Sequence, residues 1–83
     1  MAWAYYNRGN AHRAKGENDL AIADYTRAIE INPKHANAFN NRGIAYAALG
    51  KREEAIADCR RALAIDRAIQ ESKDTLKRLG APQ

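Results

Sequence analysis

The chain has 83 residues, of which 46% are apolar and 29% are charged, and its formal net charge at pH 7 is +4. This length predicts one small domain whose hydrophobic core is marginal unless other molecules extend it. A single cysteine excludes an internal disulfide, and the even spread of charge disfavours a concentrated nucleic-acid-binding patch.

Apolar residues recur at helical spacing and nowhere alternate with a period of two, so the sequence predicts helices only. The first helix covers residues 2–15 and ends at Gly16, because glycine suits the left-handed conformation beyond a helix end. The second covers residues 19–31 and ends at Asn32, because a residue before proline avoids helical geometry.

Three further helices are predicted over residues 36–49, 51–65 and 67–79, and Gly50 separates the first two of these. One helical face of each segment is apolar or small and is therefore predicted to face the core. These residues are Tyr5, Gly9, His12, Ala21, Tyr25, Ala28, Ile29, Phe39, Gly43, Tyr46, Leu49, Ala55, Ile56, Cys59, Ala62, Leu63, Ile69, Leu76 and Leu79.

The C-terminal third allows two interpretations. No proline or glycine interrupts the chain between Ile65 and Gly80, so one fused helix over about residues 52–79 is locally permitted. Such a helix would expose an apolar stripe for a second molecule to cover, which is helix exchange between copies. The favoured interpretation is that Asp66 caps a separate helix that folds back, because closing a short loop costs little.

The chain contains an internal repeat. Residues 2–35 laid over residues 36–69 without a gap give 15 identities in 34 positions, and such a period is typical of stacked helical hairpins. Gly9 and Gly43 recur inside helices, where glycine costs ~1 kcal/mol relative to alanine. Each precedes an alanine by twelve residues, which predicts close contact between a small residue and a missing side chain.

Two pairs of opposite charge recur with the same period. Arg8 and Asp24 of the first copy correspond to Arg42 and Asp58 of the second. We expect each pair to form an ion pair between the two helices of its hairpin, with a structural role.

The two copies resemble the tetratricopeptide repeat, whose pattern is W-x2-L-G-x2-Y, then A-x3-F, then P. The matching positions hold Tyr5, Arg8, Gly9, His12, Ala21, Tyr25 and Pro33 in the first copy, and Phe39, Arg42, Gly43, Tyr46, Ala55, Cys59 and Arg67 in the second. The departures are an arginine for the family's leucine in both copies, His12 for tyrosine, Cys59 for an aromatic residue and the missing second proline.

The resemblance implies an all-α superhelix, a helical-hairpin solenoid forming one domain over residues 1–83. Its parts would be repeats at 2–35 and 36–69, then a C-terminal capping helix and tail at 70–83. Because the first helices of such repeats line a concave groove, it also implies a non-catalytic protein–protein interaction module that binds a peptide or partner helix. The alternative function is self-association of the chain through its C-terminal helix.

The predicted groove residues lie on the outer face of the first helix of each copy. Asparagine amides can donate to and accept from a peptide backbone, and exposed aromatic side chains are typical anchors. Trp3 is equally compatible with two roles, an anchor for a ligand and a cover for the open end of the first hairpin. The predicted groove residues are Trp3, Tyr6, Asn10, Arg13, Asn37, Asn40, Asn41 and Ile44.

Chaperone-binding members of the family hold a terminal carboxylate with lysine, arginine and asparagine side chains on their first, third and fifth helices. Asn10, Asn41 and Arg78 fall at matching positions, but Tyr6 and Asp74 replace the two lysines. Since an aspartate repels a carboxylate, we expect this clamp to be absent or degenerate.

No other chemistry is predicted. His12 on the core face, His35 in a loop and buried Cys59 lack metal-ligand spacing, and neither a phosphate loop nor a catalytic constellation is present. We therefore expect no enzymatic activity and no cofactor or metal. Nucleic acid is an unlikely partner, because Asp58 and Asp74 lie close to the basic pairs Arg60–Arg61 and Lys77–Arg78. Without an apolar run of ~20 residues or a signal peptide, we expect no membrane span and favour a cytoplasmic location.

Overall fold

A computed structural model describes residues 1–82 as five α-helices joined by short turns. The helices are α1 (Ala2–Ala14), α2 (Asn18–Ile31), α3 (Ala36–Ala48), α4 (Arg52–Ile65) and α5 (Gln70–Arg78). No strand occurs in this part of the chain, which confirms the all-α prediction. None of its helices is both long and apolar enough to cross a membrane.

The helices α4 and α5 are separate, so the fused helix over residues 52–79 is wrong. Asp66 is the C-cap of α4 and does not cap the following helix as predicted, because the N-cap of α5 is Ile69. The Asp66 backbone is extended, with φ −140° and ψ 103°, and its Oδ1 atom accepts a hydrogen bond from the Ala68 N–H at 3.0 Å. Asn32 shapes the equivalent turn of the first copy by accepting from the Lys34 N–H at 3.1 Å. A short acceptor side chain therefore ends each hairpin, with or without a following proline.

The glycines inside α1 and α3 allow the two helices of each hairpin to approach closely, as predicted. A Cβ atom added at Gly43 would lie 3.0 Å from the Cys59 Sγ atom and 3.2 Å from the Ala55 carbonyl oxygen. At Gly9 the added atom would lie 2.8 Å from the Tyr25 ring. The nearest atoms to Gly9 thus belong to Tyr25, and not to Ala21 as the sequence pattern suggested.

Ion pairs join the helices of each hairpin, and both are bidentate. The Arg8 guanidinium donates to Asp24 at 2.8 and 2.7 Å, and the Arg42 guanidinium donates to Asp58 at 2.7 and 2.8 Å. The Arg8 hydrogen bond holds the pKa of the Asp24 carboxyl below its ordinary value. Arg42 also donates to the Thr26 hydroxyl at 3.1 Å and so connects the two hairpins.

The core consists largely of alanine, with Tyr25, Phe39, Cys59 and Leu76 as its larger buried members. Small side chains let the helices pack closely, as the glycine contacts also require. Leu49 does not belong to the core as predicted, because α3 ends at the preceding residue and the Leu49 side chain is 39% exposed.

Candidate peptide-binding groove

The helices α1, α3 and α5 begin at residues 2, 36 and 70, so the 34-residue period continues into the last helix. Contacts join α1 to α3 and α3 to α5. We call the surface formed by one side of these three helices the groove face. It comprises Trp3, Tyr6, Asn10 and Arg13 of α1, Asn37, Asn40, Asn41 and Ile44 of α3, and Glu71, Asp74 and Arg78 of α5.

A row of hydrogen bonds crosses from α1 to α3. The Asn41 amide nitrogen donates to the Tyr6 hydroxyl at 3.0 Å and to the Asn10 side-chain oxygen at 2.9 Å. The Tyr25 hydroxyl donates to the same Asn10 oxygen and accepts from Arg13 Nε at 3.3 Å. Four predicted groove residues therefore meet in one network, which holds their side chains in fixed positions.

The row continues from α3 to α5 through Asn40. Its amide nitrogen donates to the Asn41 oxygen at 3.0 Å and to Glu71 Oε1 at 3.4 Å, and its oxygen accepts from the Ser72 hydroxyl at 2.6 Å. The Asn40 side chain is 1% exposed. It links two helices and is unavailable to a ligand, unlike the prediction from the sequence.

The network leaves few polar groups free. The Asn41 amide donates both of its hydrogens within the protein, and its oxygen accepts one bond from Asn40. Asn41 is 6% exposed, and its contact with a ligand stays a prediction. The half-buried Asn10 amide nitrogen has no hydrogen-bond partner among residues 1–82. Together with exposed Asn37, it provides the amide groups that an incoming peptide could reach.

An aromatic cluster lies where α1 and α3 begin. The Trp3 ring lies 5.2 Å from the Tyr6 ring in an edge-on arrangement and 4.6 Å from the His35 ring, and Tyr6 lies 4.9 Å from His35. Trp3 is nevertheless 58% exposed. The ring therefore lies against the start of α3, with more than half of its surface available to a ligand.

His35 lies at the start of α3, and the sequence analysis did not predict its role there. Its Nδ1 atom accepts a hydrogen bond from the Ala38 N–H at 3.2 Å, so the side chain caps the helix. The residue is buried, its Nε2 atom has no partner among residues 1–82, and burial lowers the pKa of the ring. The available signal was its position immediately before a run of helix-forming residues.

A small cleft of about 290 Å³ separates α3 from α5 at the other end of the groove face. Arg78 is the charged member of its lining, and its guanidinium donates to the Thr75 hydroxyl at 3.4 Å. Predicted groove residue Ile44 lies in this wall. The full lining is Ile44, Ala47, Ala48, Thr75, Arg78 and Leu79.

Helix α5 carries an acidic side chain at the position that the clamp comparison aligned with a lysine. Asp74 lies two periods after Tyr6, and Arg78 lies two periods after Asn10. An aspartate at this position would repel a carboxylate ligand. The absence of the carboxylate clamp stays a prediction.

The single cysteine of the chain is buried on α4 and lies outside the groove face. Burial raises the pKa of the Cys59 thiol to about 11, so the sulfur stays protonated at neutral pH and is a poor nucleophile. Within residues 1–82, no group of three or more histidine, cysteine or acidic side chains is arranged to hold a metal ion. The groove face itself carries hydrogen-bonding, aromatic and charged side chains.

Comparisons with known proteins agree with the repeat architecture. A family model described as TPR repeat matches residues 9–50, and one described as tetratricopeptide repeat matches residues 36–68. No curated protein matches the chain.

Three solved structures are similar over nearly the whole chain. The first TPR of Spaghetti (RPAP3), bound to the HSP90 peptide SRMEEVD, has a TM-score of 0.94 and 28% identity, with 96% of this chain and 64% of that chain covered. The Arabidopsis OM64 TPR domain has a TM-score of 0.93 and 34% identity, with coverages of 95% and 65%. The second TPR domain of human RPAP3 was solved in complex with the HSP70 peptide SGPTIEEVD. It has a TM-score of 0.91 and 27% identity, with 98% of this chain and 68% of that chain covered.

The chain spans less than two thirds of the length of the first two of these structures. The matched family model over residues 9–50 nevertheless covers half of the present chain, and the second model covers the second copy of the repeat. The resemblance seen in the sequence is therefore confirmed, and the chain belongs to the tetratricopeptide repeat family.

Proposed function

We propose that the chain is a non-catalytic protein–protein interaction module that binds an extended peptide segment across the groove face. The observation that carries this proposal is the row of side-chain hydrogen bonds from α1 to α5. The row ends at side chains that face outward. Asn10 keeps a free amide nitrogen beside this row. A peptide backbone offers carbonyl groups to such a donor at every residue.

The rigidity of the row favours binding. Asn10 is held by Tyr25 and Asn41 before any ligand arrives, so little side-chain freedom is lost when a peptide docks. Trp3 adds a large exposed ring, packed on one side against Tyr6 and His35. A partly supported aromatic residue of this kind is a common binding anchor.

The structural relatives support the same class of function. Two TPR domains with TM-scores above 0.9 are in complex with short peptides. An extended heptapeptide spans about 23 Å, which fits within the 33 Å longest dimension of this protein. A peptide of this length could therefore contact all three helices of the groove face.

The test is binding of the domain to an array of synthetic heptapeptides, followed by affinity measurement on the peptides retained. We expect Trp3→Ala to weaken binding at least about tenfold and Asn37→Ala to weaken it less, because Asn37 is exposed and loses only amide contacts. Leu20→Ala is the matched control, since Leu20 is an exposed apolar residue on α2. Thermal melts of each variant separate loss of contact from loss of folding.

The proposal fails if the array retains no peptide. It also fails if Leu20→Ala and Trp3→Ala reduce affinity equally, because binding would then not depend on the groove face.

A further inference from the structure

The groove face carries opposite charges at its two ends. Glu71 and Asp74 lie in the first half of α5, while Trp3, Tyr6 and Asn37 supply no cation in the first halves of α1 and α3. The two cations of the groove face, Arg13 and Arg78, lie towards the other ends of their helices. A bound peptide therefore meets negative charge at one edge and positive charge at the opposite end.

The two acids on α5 are not held in ion pairs, although Lys77 and Arg78 follow Asp74 by one turn of the helix. Neither Glu71 nor Asp74 forms an ion pair with another residue in the range 1–82. Glu71 accepts a long hydrogen bond of 3.4 Å from Asn40, and Asp74 accepts one of 3.0 Å from the Gln70 amide. Both side chains are exposed, so their charge is available to a ligand.

The stability of α5 explains the presence of only one of these two acids. Glu71 lies in the first turn of α5, where the helix dipole favours a carboxylate. Asp74 lies beyond the first turn and gains little from the dipole. The second acid, one turn further along the same face, thus has no stabilising ion pair and no strong dipole interaction.

We propose that the groove selects peptide segments with a lysine or arginine side chain that reaches Glu71 and Asp74, and that it disfavours acidic carboxyl-terminal peptides. This inference rests on the proposed function. A cation on the peptide gains charge-assisted contact with the two carboxylates. A peptide carboxylate at the same place is repelled by them, and such like-charge contacts are a common source of specificity.

The test compares two fluorescent heptapeptides by anisotropy at low salt. One is SAMKKVA with an amidated carboxyl terminus, and the other is SAMEEVD with a free carboxyl terminus. The intact chain should bind the basic peptide at least about tenfold more tightly, and added salt should reduce the difference because the contacts are exposed.

The double variant Glu71→Gln/Asp74→Asn should lose this preference. Glu53→Gln/Glu54→Gln is the matched control, because it removes two exposed acids from the first turn of α4 and changes the net charge equally. The control should keep the preference, and circular dichroism should show equal helix content in all proteins.

The inference is overturned if the intact chain binds the acidic peptide as tightly as the basic one or more tightly. It is also overturned if the α5 variant and the α4 control retain the same preference. In these cases the groove still binds peptides and the proposed function stands. If neither peptide binds and the heptapeptide array also retains none, the proposed function fails and the inference fails with it.

Discussion

A buried histidine makes helix α3 sensitive to pH. His35 can accept from the Ala38 N–H only while Nδ1 is unprotonated, so the cap requires the neutral ring. Burial lowers the pKa of His35 from its ordinary value of 6.5. Below that pH the unfolded chain takes up a proton that the folded chain does not, so stability must fall as the pH falls.

We therefore expect the free energy of unfolding in urea to decrease from pH 7.5 to pH 5.5. His35→Asn should show a smaller decrease, because asparagine is a good helix cap that does not titrate in this range. His12→Asn is the comparison for the other histidine, whose ring contacts Glu17 at 2.9 Å near the surface. An equal pH dependence in the parent and in His35→Asn would show that His35 is not responsible.

The two repeated ion pairs differ in burial, so the effect of burial on their contribution to stability can be compared within one protein. Arg42 is 13% exposed and its partner Asp58 is 1% exposed, whereas Arg8 is 63% exposed. Removing one partner of a buried pair leaves an uncompensated charge and costs about 3 kcal/mol. We expect Arg42→Ala to lower the free energy of unfolding by this amount, and Arg8→Ala to lower it by less.

Urea unfolding of the two variants provides the measurement. Arg61, which contacts Asp58 at 3.1 Å, keeps part of the charge compensation when Arg42 is removed. Equal losses for the two variants would mean that burial does not distinguish the pairs.

At the scale of the helices, the turn before α5 lacks the proline found in the first copy. Pro33 follows Asn32, and Arg67 follows Asp66 in the same kind of turn. The Arg67 N–H makes no hydrogen bond within residues 1–82, so a proline there removes no donor that the fold uses.

We expect Arg67→Pro to stabilise the protein by about 0.5–1 kcal/mol, because proline restricts the unfolded chain more than the folded one. Pro33→Arg should destabilise it by a similar amount. Thermal melts of both variants test this. A lower melting temperature for Arg67→Pro would indicate that α4 and α5 need a conformation at residue 67 that proline cannot adopt.

The helices were largely predictable from the sequence, because the same helical pattern occurs in both copies of the repeat. The 34-residue period, the left-handed glycine after α1 and the Asn32–Pro33 pair predicted the ends of the first repeat. The fused helix was a wrong alternative, because a side-chain acceptor at Asp66 ends a helix with no proline or glycine nearby. A helical pattern alone does not show that an aspartate will bond to the backbone two residues later.

The groove face was predictable only in part. Helical spacing placed Asn40 on the outer face, but its amide turns into the junction with α5. Spacing identifies the side of a helix and cannot show whether a neighbouring helix covers it. The capping role of His35 was missed for a related reason, since it depends on the ring orientation that lets Nδ1 accept from the Ala38 N–H.

At the scale of the whole molecule, α5 is the last helix of the stack within residues 1–82. Gly9 and Gly43 are the points where α2 and α4 lie against their partners, and one period later the same position on α5 holds Lys77. Tyr5 and Phe39, which precede those glycines by one turn, correspond to Lys73 on α5. A helix packed on α5 could not approach it as closely as α4 approaches α3, because the Lys77 side chain occupies the position of the glycine. At Lys77 the outer side of α5 is therefore charged and exposed, whereas α1 and α3 carry a close helix contact at the same position.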